Sequence, residues 1–129
     1  MNANELRIGN YFWESYGGYK IIAGINHHND LPMTVDAHAI GRKICGRYDL
    51  DAIDPIPLTE DILLKCGFVK GVLWSEMHIH SNLRFYSDFD ETVCLLFDRS
   101  DNNLAECKYL HQLQNLYFAL TQKELTIKL

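Results

Sequence analysis

The stretch Tyr109-Leu110-His111-Gln112-Leu113-Gln114-Asn115-Leu116-Tyr117-Phe118-Ala119-Leu120 decides the fold class. Tyr109, Leu110, Leu113, Leu116, Tyr117 and Leu120 recur at the helical period, which predicts a helix over 109–120 with these residues on one apolar arc. His111, Gln112, Gln114, Asn115 and Phe118 fall outside that arc. An amphipathic helix must cover another element, and the residues before it supply a sheet. After Phe68 short runs with a period near two alternate with turn formers, the pattern of an antiparallel meander. Strands are expected over 72–80, 83–87, 92–98 and 104–108. In the first of them Leu73, Met77 and Ile79 share one face, while Trp74, Glu76, His78 and His80 share the other. Residues 126–129 are expected to add an edge strand.

Working back toward the amino terminus, Asp54-Pro55-Ile56-Pro57 marks a boundary, because two prolines one residue apart hold the chain extended. A helix should start just beyond it. Thr59 can cap its free N–H groups, Glu60 and Asp61 suit the positive end of its dipole, and Gly67 can take the left-handed closing conformation. Ile62, Leu63 and Leu64 form its expected buried side. Upstream, residues 6–13 predict a strand, Tyr16-Gly17-Gly18-Tyr19 a hairpin, and residues 20–25 the returning strand. Two more short strands are expected over 33–37 and 46–50. The fold class is therefore α+β. An N-terminal SH3-like, partly open β-barrel over 1–54 precedes a second lobe over 55–129, an antiparallel meander with two helices packed on it. The two share an interface as one compact unit, since halves of about 60 residues are too small to stand alone.

Composition narrows the function classes. The chain has 129 residues, 47% of them hydrophobic, and a formal charge of −5. Its basic residues are dispersed, the densest group being Arg42, Lys43 and Arg47. That balance argues against nucleic acid as a partner, because sequence-independent affinity for phosphates needs clustered cations. Cys45, Cys66, Cys94 and Cys107 are too widely spaced for a zinc knuckle or redox motif and read as free thiols. With no leader pattern and no apolar run approaching ~18 residues, the expectation is a cytoplasmic chain without a membrane partner.

Three blocks carry a resemblance: Asn4-Glu5-Leu6-Arg7-Ile8-Gly9-Asn10-Tyr11; Pro55-Ile56-Pro57-Leu58-Thr59-Glu60 with Leu63-Leu64-Lys65-Cys66-Gly67-Phe68; and residues 109–121. Together they resemble a group of small uncharacterised proteins from Bacteroides-type bacteria and their phages or mobile elements. The resemblance implies a bacterial, phage-related setting and brings no activity, cofactor or catalytic residue with it.

Candidate sites follow from residue type. Tyr11, Trp13, Tyr16 and Tyr19 gather around the first hairpin and, with Trp74, form a candidate aromatic binding surface, against the alternative that half of them fill the lobe's interior. His78 and His80, two apart on one strand face, could both reach a metal such as zinc, with Glu76, His27 or His28 adding ligands. The alternative is a solvated polar face. Asp88, Asp90 and Glu91 read as turn chemistry, and no glycine-rich phosphate loop or nucleophile elbow is present. None of the cysteines has an adjacent base, so no catalytic residue is assigned. The expected role is a non-enzymatic interaction module with an unidentified protein partner, and a homodimer through exposed apolar groups is a further expectation. The competing readings are a small metal-binding protein or metal-dependent hydrolase using His78 and His80, and, third, a nucleic-acid-binding accessory protein.

Overall fold

A computed structural model describes residues 3–15, 17–27, 29, 31–70, 76–79, 83–88, 93–97 and 103–129, with backbone alone at 3, 70, 76–79, 83–88, 93–97 and 103–105. The chain folds into two compact units. The first comprises Met1–Ile56 and Leu110–Asn115, the second Pro57–Tyr109 and Leu116–Leu129. The change of unit after Ile56 falls inside the proline-bounded segment, where no helix or central strand can form. The closing helix, assigned whole to the second lobe on sequence, is divided between the two units.

The first unit is built on strands β1 (Tyr11–Glu14), β2 (Gly18–Asn26), β3 (Thr34–Ala39) and β4 (Gly46–Asp49). They form an antiparallel sheet in the order β1-β2-β3-β4. The expected hairpin is present, with Glu14 opposite Gly18 and Trp13 opposite Tyr19. No ladder joins β1 to β4 among the described residues, so the sheet is open where the sequence suggested a partly open barrel. A bulge between Ile22 and Gly24 shifts the β2–β3 register, and β2 thereby returns Ile25 to the side of Ile22. The core consists of Phe12, Ile22, Val35, Ala37 and Ile53, with Leu6, Ile25, Tyr48 and Leu50 packed against it. Phe12 meets Tyr48 edge-on, ring centroids 6.0 Å apart. Tyr48 in turn lies along its own strand over Gly46, where an added Cβ would stand 3.0 Å from the Tyr48 hydroxyl. Glycine at 46 is what lets the ring fold back that closely.

The second unit contains α1 (Glu60–Lys65), β5 (Val69–Lys70), β6 (Glu76–Ile79), β7 (Leu83–Asp88), β8 (Val93–Phe97) and β9 (Asn103–Cys107). The five strands form one antiparallel meander in chain order, as the period-two pattern predicts, with β5 as an additional short edge. In α1 the Thr59 hydroxyl accepts from the Ile62 N–H at 3.2 Å, and Gly67 ends the turn at φ +88°. Ile62 and Leu63 are buried, but Leu64 is 44% exposed; in a helix of under two turns, three successive residues cannot all face inward. Residues 126–129 form no strand. A backbone hydrogen bond from the Lys128 N–H to the Lys65 carbonyl at 2.9 Å holds them to the end of α1 instead.

Helix α2 (Leu110–Thr121) forms where the period placed it, yet its buried stripe is rotated. Leu110, His111, Leu113, Gln114 and Tyr117 are buried, whereas Leu116 is half-buried and Leu120 is 44% exposed. The inward face is turned from the apolar arc by roughly a sixth of a turn. Two polar side chains that the period assigned to solvent are thus inside the protein, and their hydrogen bonds explain why.

Candidate functional site

The first six residues of α2 attach to the start of the first unit through amide side chains. Gln114 is 2% exposed. Its Oε1 accepts from the Tyr11 N–H at 2.9 Å and its Nε2 donates to the Gly9 carbonyl at 2.9 Å. A primary amide bonded to N–H and C=O two residues apart does what a neighbouring strand does with its peptide groups. Asn115 accepts at Oδ1 from Asn10 Nδ2 at 2.8 Å and from Arg7 Nε at 3.1 Å, and donates to the Glu5 carbonyl at 2.6 Å. The buried Asn10 also accepts the Arg7 N–H at 2.7 Å. His111 Nε2 lies 3.2 Å from Glu5 Oε2; burial holds its pKa below the usual histidine range, against the opposing pull of the Glu5 carboxylate. Neutral His111 donates that hydrogen bond.

This attachment fixes β1 and so positions the outer face of the sheet, opposite Phe12. Alternation along the strands places Tyr11 and Trp13 of β1, Tyr19 and Ile21 of β2, His38 and Asp36 of β3, and Arg47 and Asp49 of β4 on that face. Trp13 is 41% exposed and meets Tyr19 edge-on, centroids 5.0 Å apart and planes at 79°. Tyr11 and Tyr19 are half-buried. Across the sheet, Arg47 Nε bonds Asp36 Oδ1 at 3.0 Å; that hydrogen bond raises the arginine pKa and lowers that of the aspartate. Between the aromatic and ionic ends, His38 Nδ1 is 3.0 Å from the Ala39 carbonyl, which can only accept. Nδ1 therefore carries a proton and donates to that carbonyl.

Of the sequence-assigned aromatic residues, the structure brings Tyr11, Trp13 and Tyr19 to one face; Tyr16 and Trp74 lie outside the described residues. His80 and His28 lie outside them too, and His78 is described only as a backbone position in β6, opposite Val69 and Arg84. Among the described residues no three His, Cys, Asp or Glu side chains gather to hold a metal. The basic group is partly committed: Arg42 and Lys43 are exposed in the β3–β4 loop, whereas Arg47 is engaged with Asp36. The sequence reading missed Gln114, Asn115 and His111. Its one available clue was the run of amide residues on the helix beside the Gly9-Asn10 turn.

The second unit has an open cleft of about 540 Å³ lined by residues that include Asp61, Lys65, Cys66, Tyr117 and Lys128. Burial pushes the Cys66 thiol up to about 12, so it stays protonated and serves as a packing group at the end of α1 rather than a nucleophile. Cys107 is a buried free thiol and Cys45 an exposed one. No helix among the described residues is long and apolar enough to cross a membrane. Comparison with protein-family models, curated proteins and solved structures finds no match to the chain.

Proposed function

We propose that the chain is a non-enzymatic interaction module of the bacterial cytoplasm, phage-related in origin, whose SH3-like first lobe receives an extended segment of a protein partner at the Trp13–Tyr19 corner. One observation carries the reading: Trp13 packs edge-on against Tyr19 and its backbone is bonded to Asp54, yet the residue remains 41% exposed. An indole already packed against another ring loses less conformational freedom on binding, which favours aromatic residues at recognition surfaces. Farther across the same face, the Asp36–Arg47 pair supplies a charged margin that can orient the segment. Among the described residues, burial shifts Cys66 and His111 most clearly, and both are interior and held in their uncharged forms, consistent with structural roles.

Panning a random library of extended peptides on the wild-type protein and on Trp13→Ala tests the proposal. Peptides enriched by the wild type and bound at least about tenfold less tightly by Trp13→Ala are expected, since a truncated aromatic anchor commonly costs that much. Enrichment that survives the substitution unchanged, or no enrichment at all, refutes it.

A further inference from the structure

The two outer strands of the first sheet are finished differently. Along β1 three outward backbone groups are occupied: Tyr11 N–H by Gln114, and Trp13 N–H and C=O by Asp54 at 2.9 Å each. Strand β4 has β3 on one side and no strand on the other among the described residues. Its residues include Arg47 and Asp49, both exposed, on the face opposite Tyr48. Charged residues on an edge usually prevent further pairing. Here the two charges are opposite in sign and two residues apart, which makes the edge complementary to itself.

We propose that β4 pairs antiparallel with β4 of a second copy of this chain, about a two-fold axis at Tyr48. In that register Arg47 stands opposite Asp49 of the second copy, and Asp49 opposite its Arg47. Residues facing one another in an antiparallel ladder must both turn their backbone groups toward, or both away from, the partner, so alternative registers differ by steps of two. One step either way sets Arg47 against Arg47 or Asp49 against Asp49. In the latter case the residue facing Arg47 is Asp51, which lies in the turn Leu50–Ala52 and has left the strand. Charge therefore selects a single register. Each Arg47 then lies between Asp36 of its own chain and Asp49 of the other.

The flanking sequence adds apolar contact. Ile44, 89% exposed, lies just before the strand and so beside the proposed seam. Four paired residues and this flank bury less than the roughly 1,200 Å² of a standard interface, so the dimer is weak and concentration-dependent. The inference is separate from the Trp13 reading, which concerns the opposite end of the sheet.

Sedimentation velocity over a concentration series tests it. Wild-type protein is expected to pass from monomer to dimer, and Trp13→Ala to do so equally. Asp49→Lys, which sets cation against cation at both ends, should weaken association at least about tenfold, and Arg47→Glu likewise. An equimolar mixture of the two variants should form a heterodimer of about wild-type affinity. Monomeric wild type at every concentration, undiminished association of Asp49→Lys, or no association of the mixture while both variants melt cooperatively overturns the proposal. Should a variant not fold, deuterium uptake at residues 46–49 of the wild type decides: protection that rises with concentration supports the pairing, and uptake independent of concentration refutes it.

Discussion

Strands β1 and β4 bound the same sheet and are close in length, yet one edge is closed from within the chain and the other is left with β3 as its sole ladder partner among the described residues. The closure of β1 uses residues distant in sequence, Asp54 through its backbone and Gln114 through its side chain, about forty and one hundred positions away. An edge can thus be completed by one isolated backbone bridge and one amide presented from a helix, without another strand. The β4 edge carries the exposed charges of Arg47 and Asp49.

The largest test of this contrast removes what both edges rest on. Phe12 belongs to β1, is completely buried and touches Tyr48 of β4, so Phe12→Ala should cost about 3–5 kcal/mol in equilibrium urea unfolding. A loss below 1 kcal/mol would mean the two edges do not share that core. Next, Gln114→Leu keeps the helix and the volume but leaves the Tyr11 N–H and Gly9 C=O without their partner. A cost of about 2–4 kcal/mol is expected, from one to two unmet backbone groups, with increased amide exchange at Tyr11. Equal stability of Gln114→Leu and wild type would show that β1 is not closed by the amide.

The smallest effect is a dependence on pH at the same attachment. The folded pKa of His111 lies below its ordinary value of 6.5, so the unfolded chain binds its proton more readily. Stability from this group is complete above 6.5 and is lost as pH falls through the lowered folded value. Between about pH 7.5 and about pH 5, wild type should lose more melting temperature than His111→Gln, which cannot charge. Parallel curves for the two proteins would remove His111 from the account.

Most of what the residues announced locally is what formed, although the strand expected over 6–13 begins only at Tyr11 and none forms over 126–129. Thr59 caps α1 and Gly67 closes it because those interactions involve backbone within the same turn. The hairpin between Tyr11–Glu14 and Gly18–Asn26 and the meander from Val69 onward follow the alternation for the same reason. Legibility fails where a residue's partner is remote. Gln114 and Asn115 look like solvent residues on a helical wheel, since the period weighs hydrophobicity and cannot register an unsatisfied carbonyl at Gly9 or Glu5 waiting for a donor. Leu120 and Leu64 look buried by type and are exposed because their helices turn other residues inward. Of the aromatic candidates, sequence identified Trp13 and Tyr19 as neighbours but not which would remain accessible.

By itself the sequence determined the α+β class, the meander, the helices and their principal caps, because propensity, period and capping act over a few residues. Tertiary structure alone decided that the first sheet is open, that polar residues of α2 are buried to complete one of its edges, and that Trp13 stays at the surface. Those outcomes depend on which backbone groups lie across from which side chains after the chain has folded back on itself, a pairing of positions that no local pattern encodes.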